Sequence, residues 1–148
     1  MRRVASLAVA LVVTLTTAQS TVLAEAPPPP PFRVIIHPSN PATSAERKWV
    51  ADAFLKKTTT WGSGDIIRPV DQGPKSTVRI KFSEEILHRS VAEVKSYWQQ
   101  KIFSGGDVPP PELDGDEEVV RYVLKYSGAI GYVSGSAKLN GTKVLAVK

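Results

Sequence analysis

The sequence predicts an α/β fold, a three-layer arrangement of a sheet flanked by helices, and three observations carry that expectation. Short β-branched or apolar runs at residues 32–37, 66–70, 129–133 and 144–147 have the length and composition of strands. Between them, apolar residues recur at helical spacing around Trp49, Val78, Trp98 and Val120. Two helical stretches open on Ser/Thr-x-x-Glu, a signature of a helix start. Strands alternating with helices form a sheet covered by helices. A body of about 115 residues is long enough to bury near two-thirds of its surface in one domain.

Taken in order, Arg2 and Arg3 precede an apolar run at residues 7–15 broken only by Thr14, and Val22-Leu23-Ala24 offers small residues before a cut. Residues 1–24 are expected to be a secretory signal peptide, because the run falls short of the roughly 20 residues that span a bilayer. Pro27 to Pro31 is an unbroken proline run without backbone donors, so residues 25–32 read as a stiff leader. The strand from Phe32 is ended by Pro38, and Ser39-Asn40-Pro41 turns the chain. Thr43 to Glu46 has the capping-box pattern, after which Trp49, Val50, Ala53 and Phe54 give a helix an inward aromatic face.

Trp61 to Asp65 reads as a flexible turn, Ile66, Ile67 and Val70 as a second strand, and residues 71–75 as a loop. A helix is expected from Ser76 to His88, with Val78, Phe82, Ile86 and Leu87 inward. Ser90 and Glu93 form a second capping box, opening a helix to Phe103 whose buried stripe holds Val94, Tyr97, Trp98 and Ile102. Past a Gly/Pro loop, Asp114, Asp116, Glu117 and Glu118 lie before and within the first turn of a helix ending near Lys125, where they oppose its positive end. Gly128 is placed to stop that helix in a left-handed conformation. Residues 129–133 and 144–147 are the last strands, with Asn140-Gly141 as a turn.

The sequence has no cysteine, which removes disulfides, thiol nucleophiles, thiolate metal sites and a lipoprotein anchor. A protein secreted without an anchor stays with its cell only inside a second membrane, so the expected location is the periplasm. Formal charge is +5, and loss of Arg2 and Arg3 leaves 17 basic against 14 acidic residues, or +3. Basic residues such as Lys56, Lys95 and Lys138 are scattered, which argues against a nucleic-acid partner. His37 and His88 stand on separate elements in no metal-ligand spacing, and adjacent acids such as Glu84 and Glu85 point apart around a helix. No catalytic residue, metal or cofactor is expected, and the chain reads as non-enzymatic. Trp49, Trp61 and Trp98 read as core aromatics rather than a sugar-stacking surface.

Three blocks stand in fixed order: FLKKTTTWGSGDIIRPVD at residues 54–71, PKSTVRIKF at 74–82 and SGAIGYV at 127–133. Together they resemble the phosphate-type solute-binding proteins of bacterial transporters, within the type II periplasmic binding protein superfamily. The third block is nearly identical to that family's G-A-I-G-Y-V, and the second sits where the family opens a helix with an anion-binding Ser-Gly-Thr turn. The resemblance covers the body of the chain but about one lobe of a two-lobed protein, so residues 33–148 are expected to form a single such lobe.

An anion site needs convergent donors, and a helix start supplies them through free N–H groups and its positive dipole end. By the resemblance, Ser76 and Thr77 lie where the family holds an oxyanion. Gly73 permits close backbone approach, Lys75 and Arg79 add charge, and Ser39 follows the first strand, an end where open α/β sheets often bind ligands. Where phosphate-binding members carry arginine at the strand end, this sequence has Asp71, and the loop reads Gln72-Gly73-Pro74. An unpaired carboxylate there would repel an oxyanion, and Lys75 or Arg79 is the available counter-charge.

Two functional readings result. In the first, the lobe binds phosphate or another small inorganic or organic anion for an ABC-type transport or sensing system, with a membrane transporter or sensor subunit as partner. A lone lobe offers half a cleft, so either a homodimer supplies the other face or binding is weak. In the second, the lobe is a ligand-free periplasmic interaction or accessory module, which the changed loop favours. Ser76 as a plain helix cap is compatible with that reading.

Overall fold

The structure is a computed structural model that describes residues 23–148. The expected signal peptide lies outside the described residues except for Leu23 and Ala24. The elements in chain order are β1 (Phe32–Ile36), β2 (Ser44–Ala45), α1 (Arg47–Phe54), β3 (Arg68–Pro69), β4 (Asp71–Gln72) and α2 (Thr77–Phe82). A π-helical turn, Ser83–Leu87, continues α2 without a break. Then come α3 (Val91–Phe103), β5 (Glu112–Leu113), α4 (Asp116–Lys125), β6 (Ala129–Ser134), β7 (Lys143–Val144) and β8 (Ala146–Val147).

The main sheet has the order β3-β6-β1-β7. β1 runs antiparallel to both β6 and β7, whereas β3 is parallel to β6. Two short parallel ladders, β2 with β8 and β4 with β5, tie the periphery to this sheet. Successive side chains of a strand point to opposite faces, and this alternation builds two cores. Val34, Ile36, Ile130 and Tyr132 pack with residues of α1, α2 and α3 on one face. Ile35, Ala129 and Val133 pack with Val119, Val120 and Val123 of α4 on the other. The result is the three-layer α/β arrangement expected from the alternation of strands and helices.

The three blocks of sequence meet at one point of the larger core. Phe82 stacks on Tyr132 with ring centroids 4.0 Å apart, and Phe54 lies 4.6 Å from Phe82 and 5.7 Å from Tyr132. Contacts of this kind add about 0.5–1.5 kcal/mol each beyond the area they bury.

Several local expectations need correction. Thr43 does not cap α1: the Thr43 carbonyl accepts from Ala146 N, Ser44 and Ala45 pair with β8, and α1 starts at Arg47 behind an N-cap Glu46 without a side-chain cap bond. The turn at 61–65 forms, closed by Trp61 N donating to Asp65 O at 2.8 Å, but Trp61 anchors it, because its buried indole N–H donates to the Gly128 carbonyl at 2.9 Å. Gly128 is not left-handed. It is needed because a Cβ there would lie 2.0 Å from the Ile66 carbonyl oxygen. Ile102 is 52% exposed, leaving Val94 and Trp98 as the fully buried stripe of α3. The last strand is split at Leu145, whose side chain enters the larger core between β7 and β8.

Candidate functional site

The chain leaves β4 at Gln72, turns through Gly73 and Pro74, and enters α2 behind Ser76. Ser76 N donates to Gly73 O at 3.0 Å, which closes the turn, and Ser76 Oγ accepts from Arg79 N at 3.3 Å, which caps the helix. Gly73, Lys75 and Ser76 line a cavity of about 470 Å³, opposite Asp114 and Gly115 at the start of α4. Two helix starts therefore face one cavity, but they differ in charge. The first turn of α4 carries Asp116, Glu117 and Glu118. Glu118 accepts from Asp114 N, and Asp116 accepts from Ser134 N at 3.0 Å and from the Ser134 hydroxyl. The first turn of α2 carries no acid, so its positive end is the uncompensated one.

Beneath the cavity lies a buried polar network. Arg79, 4% exposed, places Nη2 at 3.3 Å from Asp71 Oδ2, and its Nη1 donates to Gln72 O and to Glu112 Oε1, each at 2.7 Å. The Tyr132 hydroxyl donates to Asp71 Oδ1 and accepts from Gln72 N at 3.2 Å. Gln72 is the hub. Its Nε2 donates to Tyr132 O and to Asp116 Oδ1, both at 3.1 Å, and its Oε1 accepts from Ser76 Oγ at 2.8 Å. The Ser76 hydroxyl is thus used twice within the protein, once as donor and once as acceptor.

Burial pushes the Asp71 carboxyl above its ordinary value, against Arg79, the Tyr132 hydroxyl and Gln72 N–H, which favour the charged form. Burial likewise drives the Tyr132 hydroxyl far up, and the Asp71 carboxylate adds to it, so Tyr132 remains a proton donor. Burial opposes the charge on Arg79, but Asp71 and Glu112 outweigh it and hold the guanidinium protonated.

Of the residues selected from sequence, Gly73, Lys75 and Ser76 share one cavity. Thr77 is exposed beside it, and Arg79 turns inward to Asp71 and Glu112. Ser39 is not brought to them. Because β1 is antiparallel to β6, the turn after Ile36 lies beyond Ile130, at the opposite end of the sheet from Tyr132 and Gln72. There the Ser39 hydroxyl pairs with His37 Nδ1 at 2.7 Å. Sequence reasoning missed Gln72, Glu112, Tyr132 and Asp116. The one available signal was a tyrosine within an otherwise apolar strand, whose hydroxyl needs a partner when buried. Among the described residues, no group of three or more His, Asp or Glu side chains is arranged to hold a metal ion, and no helix is long and apolar enough to cross a membrane.

No protein-family profile matches the sequence, and no curated protein matches it. Solved structures do. The fold matches one part, somewhat under half, of solved proteins that include two described by phosphate transport. A structure described as a phosphate ABC transporter substrate-binding protein with bound phosphate, from Clostridium perfringens, superposes with a TM-score of 0.64 at 22% identity over 78% of this chain and 44% of its own. An ABC-type phosphate transport receptor from Vibrio cholerae gives 0.61 at 17% identity, over 78% and 45%. PstS from Borrelia burgdorferi gives 0.63 at 14% identity, over 79% and 47%. This chain spans less than half the length of each of these proteins. The first two are named for substrate binding or transport rather than for catalysis.

Proposed function

We propose that this chain is a secreted single-lobe domain that binds phosphate or a related oxyanion at the start of α2, in service of an ABC-type transporter or sensor in the periplasm. The observation that carries this reading is the asymmetry of the cavity: Lys75, Ser76 and Gly73 border a helix start with no acid of its own. Asp71 is paired with Arg79 and so withdrawn from the cavity, and the acid that does line it, Asp114 on the opposite wall, faces Lys75. The neighbour from Clostridium perfringens carries phosphate. With one lobe, the anion faces water on one side and binds weakly, unless a second copy closes over it.

The test is the thermal stability of the protein across phosphate, sulfate, molybdate and organic phosphates at constant ionic strength. A ligand that binds only the folded state raises Tm in a saturable way. In the double variant Ser76→Ala, Thr77→Ala the anion-dependent rise should vanish, while the loss of the cap alone costs about 1 kcal/mol. Persistence of the rise in that variant would remove the site from α2.

One observation favours the second reading, an interaction module. Phe103, 95% exposed, adjoins the exposed Ile102 at the end of α3, with Val108 exposed in the following loop. A protein that shows no Tm response to any of the anions would be assigned to that reading.

A further inference from the structure

We infer that the cleft between α3 and the 104–111 loop is a second ligand site, which takes a small organic carboxylate with an apolar body. The cleft measures about 340 Å³, with Trp98 and Ile102 of α3 on one side and Pro109 and Pro110 on the other. Arg79 and Lys95 bring positive charge to its lining, and Asp71 and Glu112 negative charge. It shares only Pro74 with the cavity at the start of α2, so the inference does not rest on the oxyanion reading. Small-molecule sites are concave, about 300–1,000 Å³, mostly apolar and equipped with a few convergent polar groups.

Three observations set the ligand class. The first is Ile102, which continues the stripe of Val94 and Trp98 yet stays 52% exposed, so an apolar side chain borders the cleft without being taken into the core. The second is the uneven holding of Arg79. Its Asp71 partner is 11% exposed at the side chain, whereas Glu112 is 48% exposed, and Arg79 Nε has no hydrogen-bond partner at all. A ligand carboxylate can replace the Glu112 carboxylate on Nη1 while Asp71 and the Gln72 carbonyl keep the guanidinium in place. The third is Lys95, which lines the cleft and makes no ion pair among the described residues. One carboxylate matches Lys95 and the exchangeable arm of Arg79. An apolar body covers Trp98 and the two prolines. Inorganic phosphate would leave those walls uncovered and bring extra negative charge beside Asp71 and Glu112.

The test is an NMR titration of the ¹⁵N-labelled full chain with phenylacetate, with its neutral analogue phenylacetamide and with inorganic phosphate. Phenylacetate is expected to shift the Trp98 indole N–H and the amides around Ile102 and Glu112 in a saturable way, and phenylacetamide to bind at least tenfold more weakly. Lys95 is exposed, so Lys95→Gln folds normally and should weaken phenylacetate about tenfold, the loss of one charge-assisted hydrogen bond. Glu112→Gln, which removes the competing carboxylate, should tighten it severalfold. The proposal is overturned by the absence of saturable shifts, by equal binding of phenylacetamide, by wild-type affinity in Lys95→Gln, or by shifts centred on Trp49 and Trp61. Phosphate moving the same amides as strongly as phenylacetate would make the cleft an inorganic-anion site and overturn the stated class.

Discussion

Asp71 is buried where β4 begins, and Arg79, in the first turn of α2, is its counter-charge. The pair is buried, and removing one partner of a buried pair leaves a charge without compensation. Arg79→Met should therefore cost about 3–5 kcal/mol in urea unfolding, and Arg79→Met combined with Asp71→Asn should recover a large part of that loss. Double-mutant behaviour of this kind separates a structural tie from a ligand-binding arginine. The same carboxyl makes stability depend on pH. Folding raises the Asp71 pKa above 3.8, so the folded protein keeps a proton that the unfolded chain has already released. Stability from this group is therefore full below about pH 3.8 and declines as pH rises through the higher folded value. Urea unfolding between pH 4 and 7 should show wild type losing stability relative to Asp71→Asn as pH increases, and an opposite slope would mean that Arg79 and Tyr132 outweigh burial.

At the scale of elements, two Ser/Thr-x-x-Glu patterns had equal standing in the sequence and met different fates. Ser90 and Glu93 form both bonds of the box, with Glu93 Oε2 accepting from Ser90 N at 2.6 Å and Ser90 Oγ accepting from Glu93 N at 3.1 Å. Thr43 lies beside a strand that arrives from the far end of the chain, and backbone pairing to Ala146 and Val147 replaces the cap. Accordingly Ser90→Ala should lower stability by about 1 kcal/mol and Thr43→Ala by less than about 0.5 kcal/mol in the same urea assay. The contrast marks what a sequence can state. Period-3.6 stripes, β-branched runs and turn residues specify α1 to α4, β1 and β6, because those signals are local. Strands of two residues carry little local signal, and only the runs at 66–70 and 144–147 announce any of them. β2, β4, β5, β7 and β8 exist through partners distant in sequence, and so do the inward turn of Arg79 and the opposite-end position of Ser39, both of which depend on strand direction. The candidate site was legible as a helix start with Ser76 and Lys75, whereas Gln72, Glu112 and Tyr132 were not, since each acts through a tertiary hydrogen bond.

At the scale of the molecule, the cavity at the start of α2 opens to solvent, so an anion bound there as proposed is partly hydrated and its attraction to Lys75 is screened. The Tm rise at a fixed low phosphate concentration should shrink as ionic strength goes from about 10 mM to about 150 mM, because the Debye length falls from about 30 to about 8 Å. A rise that ignores salt would instead indicate an enclosed site, of the kind a second copy would create. The topology also sets a timetable for the chain. β1 precedes the other described strands and sits inside the sheet, yet its neighbours β6 and β7 come only at Ala129–Ser134 and Lys143–Val144. Closing so long a loop is entropically costly, and folds dominated by distant pairings are slow to form. A nascent chain that has not reached Ala129 has nothing to zip β1 against, so it remains threadable. Late closure leaves the polypeptide without its central sheet, and so open to proteases and chaperones, until that segment has been made.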